Sequence, residues 1–547
     1  MENSPSCNNK YLHFFIRALV IANCASILLG LIYIITKASH GLWNIYGVLL
    51  LITLLGNVTA TLFQTKYRSL DYIYLLLTII SMMLLPVLNR SASEDVLNTT
   101  SRSVISITLL LSLLVLGGVI AVLKLRPIKK TDEASSHEIN HTLRITIQIL
   151  LSASLVLGIY LAYQLITGRS ADKIEMVLPT TSLFLSIIFF TISMLILKLL
   201  HKKTKAFVKA TVIILGLSLT VIFSLPLVLT LATIQDVESN YMKAFGVKSA
   251  DIIPPEKKQY FTDTPFVLPD YFFGAASGDH RVKQDILYFE GTTGIDKGIR
   301  LHFDAYMPPK NDEELPGNHL VLIRIHGGAW TAGDKGHLNR AQINKHFASL
   351  GYVVFDVQHG LSNEERLFRF LEVPANKVAG FSVDDMVRHI GHFTDYLAEH
   401  HDEYGANLDS VFISGRSSGG QIANAVGLGS KNRQHNVLNP HLTIKGIISV
   451  YPANGLSKKA GIEGTREIID PSLLVTEDSP PALIYQGTHD GFVDQSVSKK
   501  FNQTYSEKSK SALILLPLAG HASNTYFSGY YNQVFMYYME RFMYQHQ

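Results

Sequence analysis

The chain has 547 residues, of which 47% are hydrophobic and only 17% charged, and its mean hydropathy is +0.20. That average is high for a soluble protein and low for a pure transporter, so two unlike halves are expected. The net charge of +4 is accounted for by loop lysines, which argues against nucleic acid as a partner. Cys7 and Cys24, the two cysteines, stand near the N-terminus and exclude a disulfide framework or cysteine metal site from the second half.

Long apolar runs occupy about 12–36, 42–63, 70–88, 104–123, 145–166, 177–200 and 207–233. Each is near or above the roughly 20 residues that cross a hydrocarbon core. Runs such as "SVISITLLLSLLVLGGVIAVL" show no polar stripe at helical period, so they do not read as soluble core helices. The first run is too long for a signal peptide and no small-residue cleavage site follows it. Residues 1–233 are therefore expected to form an all-α transmembrane bundle of about seven helices, with the lipid bilayer as its partner. Arg17 lies near a span end and can snorkel. No intramembrane row of Asp, Glu or His suggests an ion path.

Lysine and arginine set the orientation, because cytoplasmic loops retain them. Lys124, Arg126, Lys129 and Lys130, with Arg144 nearby, mark the loop between runs four and five. Lys198, Lys202, Lys203, Lys205 and Lys209 mark the loop between runs six and seven. The alternate loops are poorer: Lys37; Arg90 and Arg102 beside Glu94 and Asp95; Arg169 and Lys173 beside Asp172 and Glu175. Seven spans then leave the N-terminus inside and everything after about residue 234 extracytoplasmic.

Residues 234–280, with "DIIPPEKKQY" and "TPFVLPDYFFG", read as a proline-punctuated linker or partial cap. From about 281 the texture changes to short β-rich runs: "QDILYFE", "LHFDAYM", "HLVLIRIH", "YVVFDVQ", "SVFISG", "IKGIISVYP", "ALIYQG" and "ALILLPL". The last six are apolar enough to be buried on both faces, as parallel strands are. Amphipathic stretches lie between them at about 338–350, 383–403, 419–429 and 494–508, and a last one follows at 525–545. The alternation predicts an α/β domain over 281–547 with a doubly wound, mostly parallel sheet of about eight strands.

Between the strand "SVFISG" and the helix start "QIANAVGLG" stands Gly415-Arg416-Ser417-Ser418-Gly419. A G-x-S-x-G turn of this kind is a nucleophile elbow, whose small flanking residues let the serine Oγ rise above the sheet. His326-Gly327-Gly328-Ala329-Trp330 follows another strand and is an H-G-G loop of the type that stabilises a developing oxyanion. Thr488-His489-Asp490 follows "ALIYQG", and His521 follows "ALILLPLAG". The order Ser417, Asp490, His521 is that of a Ser…Asp…His triad on an α/β sheet.

On "HGGAW", "GRSSGG", "GTHDGFV" and "AGH", residues 280–547 resemble an α/β-hydrolase of the carboxylesterase and hormone-sensitive-lipase-like branch. The resemblance implies Ser417 as nucleophile, His521 as general base and then acid, and Asp490 as the residue that orients the imidazole. It also implies an oxyanion hole from Gly327, Gly328 and Ala329 together with Ser418, and no metal or organic cofactor. Two departures stand out: Arg416 occupies an elbow position that is often acidic in this branch, and "FDVQHGL" replaces a D-Y-R-L-A-P-type stretch.

Several residues compete for these roles. Asp494 is an alternative acid and His489 a less suited base. His389, His392, His400 and His401 suggest a metal less well than a solvated helix face. Asp334 and Lys335 read as a surface turn or pocket mouth. The leading reading is a membrane-anchored serine esterase or deacylase acting on a small ester or acylated envelope substrate. The alternatives are a prolyl-oligopeptidase-like serine peptidase, an acyltransferase to a membrane-linked acceptor, and a non-catalytic ligand-binding membrane protein. The short polar region between "SVYP" and "PALIYQG" suggests short acyl groups. No oligomeric state follows from the sequence.

Overall fold

The computed structural model describes residues 7–36, 40–63, 68–126, 140–169, 173–201, 203–310, 315–336, 341–363 and 371–547. Lys37, Lys129, Lys130, Asp172, Lys202 and the head of the helix expected at 338–350 lie outside the described residues. The first half contains α1 (Cys7–Ile35), α2 (Trp43–Ala60), α3 (Arg68–Glu94), α4 (Val104–Lys124), α5 (His141–Thr167), the short α6 (Lys173–Val177), α7 (Ser182–Leu199) and α8 (Ala206–Phe245). Among the described residues, seven helices are long and apolar enough to cross a membrane, α6 being the exception. The bundle is centred on α7, which packs against α3, α5 and α8.

Lipid tails are as apolar as leucine, so a membrane bundle is held by close packing and polar contacts rather than by hydrophobic burial. Asn23 of α1 and Asn57 of α2 exchange side-chain amide hydrogen bonds of 2.8 and 2.9 Å. Gly117 of α4 approaches Asn57 so closely that a Cβ would lie 2.1 Å from its Nδ2. Asp71 is fully buried at the start of α3, with its carboxylate 3.1 Å from Lys124 Nζ and 2.8 Å from Lys198 Nζ. Those lysines also donate to the Phe63 and Thr61 carbonyls. Two cations that sequence assigns to loops are thus helix-end partners of a buried carboxylate.

The expected boundary at 233 marks the end of the apolar run and not the end of the helix. α8 continues for twelve residues, to Phe245, and stops at Gly246, which adopts φ 81°. Forty residues of helix span about 60 Å, twice a hydrocarbon core of about 30 Å, and the twelve residues after the apolar run, about 18 Å of helix, project beyond it. That projection carries Tyr241 and Phe245 against the C-terminal helix. α9 (Ser249–Ile252), a 3₁₀ turn (Pro255–Tyr260) and α10 (Leu268–Phe273) follow. All six residues of α10 are buried. Tyr33 donates to Asp270, Asn44 donates to the Phe266 carbonyl, and Tyr271 stacks on Phe184 at 4.5 Å. The linker is an interlock between the halves.

The strands are β1 (Arg281–Glu290), β2 (Arg300–Met307), β3 (Leu320–Ile325), β4 (Val353–Val357), β5 (Asn407–Arg416), β6 (Ile444–Val450), β7 (Ala482–Gly487) and β8 (Ser511–Leu516). They form one sheet in the order β1-β2-β4-β3-β5-β6-β7-β8. β1 and β2 pair antiparallel, β2 pairs antiparallel with β4, and the remaining pairs are parallel. The helices are α11 (Ala341–Ser349), α12 (Val383–Tyr404), α13 (Ser418–Gly429), α14 (Arg466–Ile469), α15 (Gln495–Ser506) and α16 (Tyr530–His546). α12 starts at a Ser382/Asp385 capping box and ends at Gly405, which takes φ 66°.

Among the described residues, the bundle meets the linker and the α/β domain at one end. Gly41, Arg102, Gly168 and Thr180 contact Asp263, Gly274, His489 and Tyr271 respectively, so the α1–α2, α3–α4 and α5–α7 connections share that end. Asp71, Lys124 and Lys198 lie at the opposite end. Replacing Asp71 by Asn leaves two buried ammonium groups without a counter-charge. We expect a loss of about 3–5 kcal/mol, read as a lowered Tm of the detergent-solubilised protein; an unchanged Tm would show the pairs to be energetically neutral.

Candidate active site

β5 delivers Ser417 at its C-terminal end, and α13 starts at the next residue. Ser417 has φ 53° and ψ −122°, a conformation that side chains avoid and that a sharp strand-to-helix turn imposes. The flanking glycines make the turn possible: a Cβ on Gly419 would lie 2.2 Å from the His326 carbonyl oxygen. Ser417 N–H donates to Val450 and its carbonyl accepts from Ala453, so the sheet holds the strained residue from both sides.

The three residues singled out from sequence converge. His521 Nε2 lies 3.2 Å from Ser417 Oγ. His521 Nδ1 lies 2.8 and 3.0 Å from the Asp490 carboxylate oxygens. Asp490 is aligned in turn by the Phe492 and Val493 N–H groups on Oδ1 and by Gln486 Nε2 on Oδ2. The imidazole therefore has a fixed ring plane, with one nitrogen facing a carboxylate and the other facing a hydroxyl within hydrogen-bond reach.

The H-G-G loop runs beside the elbow. A Cβ on Gly327 would stand 3.2 Å from Ser417 Cβ and 2.6 Å from the Arg416 carbonyl oxygen. Gly328 takes φ 131°, and Ala329 and Trp330 take φ 55° and 62°. Trp330 Nε1 donates to Gln421 of α13, pinning the loop to the helix behind the nucleophile. The Ser418 N–H is one of the first-turn amides that helix geometry leaves without an intrahelical acceptor. Within the loop, His326 stacks on His359 with ring centroids 4.2 Å apart. Burial pushes His326 down to about 4 and His359 down to about 3, so both rings are neutral at pH 7. Arg416 is buried below the turn, and burial together with its charge pushes Arg324 down to about 9.

The rival residues have other partners. Asp494 caps α15, accepting from Ser496 N–H at 2.8 Å. His489 Nε2 meets the Ile166 carbonyl at the end of α5. His389 pairs with Asp296, His392 stacks on Phe289 and His400 stacks on Tyr396. No group of three or more metal-ligating side chains occurs among the described residues. Lys335 bridges Asp285 and Asp304, and Asp334 accepts from Gln358, so this pair fastens the H-G-G loop to the sheet edge.

Sequence reading missed three neighbours of His521. Tyr451, with φ 38°, has its ring 4.5 Å from the imidazole, and Phe492 lies 5.4 Å away. The third comes from the membrane half. Glu175 of α6 is buried, and its carboxylate accepts from His521 N–H at 3.1 Å and from Gly491 N–H at 3.2 Å. It ties together the loops that carry the acid and the base. Its only mark in the sequence is that it is one of two acids, with Asp172, in a short inter-span loop. Glu175→Gln keeps the shape but exchanges a charged acceptor for a neutral one, and an amide–carboxylate bond is worth about 1.5–3 kcal/mol. We expect kcat on a soluble ester to fall at least about ten-fold with KM little changed, and Glu175→Ala to fall further. Parental kcat in both variants would remove Glu175 from the site.

Residues 303–505 match the BD-FAE family model. The chain is 22% identical over 249 residues to "Probable carboxylic ester hydrolase LipM" of Mycobacterium tuberculosis, covering 40% of this chain and 53% of that protein. The chain thus spans about half the length of the curated relative it matches. Among solved structures, esterase B of Lactobacillus rhamnosis aligns at 18% identity and a TM-score of 0.38, over 57% of this chain and 94% of that one. Thermogutta terrifontis esterase 2 aligns at 17% identity and a TM-score of 0.36, over 48% and 90%. The C-terminal half is an eight-stranded, mostly parallel α/β domain, similar over residues 303–505 to the BD-FAE family model and joined to seven helices of membrane-spanning length.

Proposed function

We propose that the protein is a membrane-embedded serine esterase or deacylase that works through an acyl-enzyme at Ser417. The observation that carries this reading is the single line from Ser417 Oγ through His521 to Asp490. His521 Nε2 accepts the Ser417 proton as Oγ attacks the ester carbonyl carbon. The oxyanion so formed is met by N–H groups of Gly328, Ala329 and Ser418, with Gly327 giving the close approach, and Asp490 stabilises the imidazolium. Collapse breaks the carbon–oxygen bond to the alcohol, which leaves with the His521 proton. Water then repeats the sequence on the acyl-enzyme, releasing the carboxylic acid and restoring Ser417. No metal or organic cofactor takes part in these steps.

A fluorophosphonate probe should label the parent protein, and Ser417→Ala should remain unlabelled. Ser417→Ala and His521→Ala should each cost about 10⁴ or more in kcat on a p-nitrophenyl ester, because triad members act as a unit. Equal labelling of parent and Ser417→Ala sinks the assignment.

The same reading places the catalytic half outside the cytoplasm. Its support is the lysine-rich sequence of the α4–α5 and α7–α8 connections, whose described flanks at Lys124 and Lys198 lie at the end of the bundle away from the sheet, together with seven candidate spans among the described residues. The substrates are then envelope or external esters. Protease added to intact cells or spheroplasts should cleave the catalytic half, and protection until the membrane is permeabilised would reverse the orientation.

A further inference from the structure

A groove of about 790 Å³ opens between α3 and α7 beside the histidine loop. That is a typical volume for a site that encloses a small organic ligand. One wall runs along α3 from Met82 to Glu94, twelve helical steps and about 18 Å of helix. Half of a hydrocarbon core is about 15 Å, so the groove has the depth of one leaflet. Its lip residues Met83 and Val87 are each 59% exposed, on the flank of the bundle where lipid would lie.

The lining changes character along that depth. The far end, toward the middle of the bundle, is made by Met83 of α3 with Leu185 and Ile188 of α7. The near end carries the Arg90–Glu94 pair, Thr181 and Thr525. On both helices the polar end is the one that meets the catalytic half. An alkyl chain with a polar head at the catalytic side fits this gradient, whereas a soluble peptide or sugar would leave the deep end unfilled.

The near end belongs to the histidine loop. Thr525 stands four residues after His521, in a turn closed by its own N–H on the Ala522 carbonyl, and its hydroxyl meets the Met176 carbonyl of α6. Four residues reach at most about 14 Å. In ester cleavage the histidine passes its proton to the departing alcohol, so the alcohol part lies on the His521 side of Ser417. The groove lies against the turn that follows His521.

Building on the esterase reading, we propose that this groove binds the alkyl chain of a bilayer-resident amphiphile whose ester-linked alcohol is the leaving group, so that the enzyme deacylates O-acylated lipids drawn laterally from the leaflet. A short acyl group stays at Ser417 and the chain stays in the leaflet.

Two acetates that give the same acetyl-enzyme isolate the alcohol side. The full-length protein in phosphatidylcholine vesicles is given hexadecyl acetate or water-soluble p-nitrophenyl acetate, and kcat/KM is measured for each. Val87→Trp fills the lip and Leu185→Trp narrows the wall. In both variants the ratio of hexadecyl to p-nitrophenyl kcat/KM should fall at least about ten-fold, the equivalent of about two methylenes withdrawn from apolar contact. A parental ratio in both variants overturns the inference, as does a parent protein that cleaves p-nitrophenyl acetate and leaves hexadecyl acetate intact. If p-nitrophenyl acetate itself is not cleaved, or is cleaved equally by Ser417→Ala, the esterase reading fails instead.

Discussion

The buried carboxylate of Glu175 is a point at which the membrane half holds both the acid loop and the base loop, and the proton-transfer side of the site depends on it. It accepts from the amides of Gly491 and His521, one residue after the acid and at the base itself. A buried carboxylate carries a desolvation cost of several kcal/mol, which only well-placed donors offset. Backbone has to come close for this to work. Gly520 leaves no room for a Cβ, which would lie 2.4 Å from the Glu175 carbonyl oxygen, and Gly168 is equally tight against the His489 ring. Removing either glycine would push the bundle away from the loops.

The strain in the site is held by the sheet and not by the bundle. Ser417, Ala329, Trp330 and Tyr451 all have positive φ, and such residues persist only where the surroundings overdetermine them. Here they follow the ends of three adjacent parallel strands, β3, β5 and β6, whose ladders continue up to Ile325, Arg416 and Val450. The Tyr451 N–H donates to the Tyr485 carbonyl of β7, so the next strand restrains that turn as well. The nucleophile and its H-G-G loop are thus fixed within the α/β half, while the base and acid sit on loops with a second support. The division is asymmetric: the membrane half touches the proton-transfer side of the site.

Much of this was legible in the chain. Strands β3 to β8 are runs buried on both faces, and the residues after β3, β5, β7 and β8 carry chemistry at fixed places in a sheet, so Ser417, Asp490, His521 and the H-G-G loop could be found locally. Contacts with no local pattern could not. Glu175 lies 346 positions from the amide it accepts from, and its one-turn helix looks like an ordinary loop acid. Asp71 is one charge at a span end until Lys124 and Lys198 are brought to it by packing. The end of α8 is not marked by the fall in hydropathy at Thr233, because no glycine or proline follows until Gly246. Hydropathy reports where the bilayer ends, and the helix ends only where Gly246 turns it.

A single span would be enough to keep a hydrolase at a membrane, so the contacts of the bundle need another explanation. α10 is wedged among α2, α3 and α4, its Tyr271 stacks on Phe184 of α7, and α16 closes against the projecting part of α8. Tyr271 also donates to the Thr180 carbonyl, five residues along the chain from Glu175, and accepts from the Tyr526 hydroxyl, five residues from His521. The aromatic seam therefore runs between the Glu175 connection and the histidine loop. A shift of α7 relative to the sheet would move both supports of His521 in the same direction, while Ser417, anchored in β5 and β6, stayed in place. The Ser417–His521 separation is the coordinate most exposed to the packing of the bundle, and the anchor is in this way a structural part of the active site.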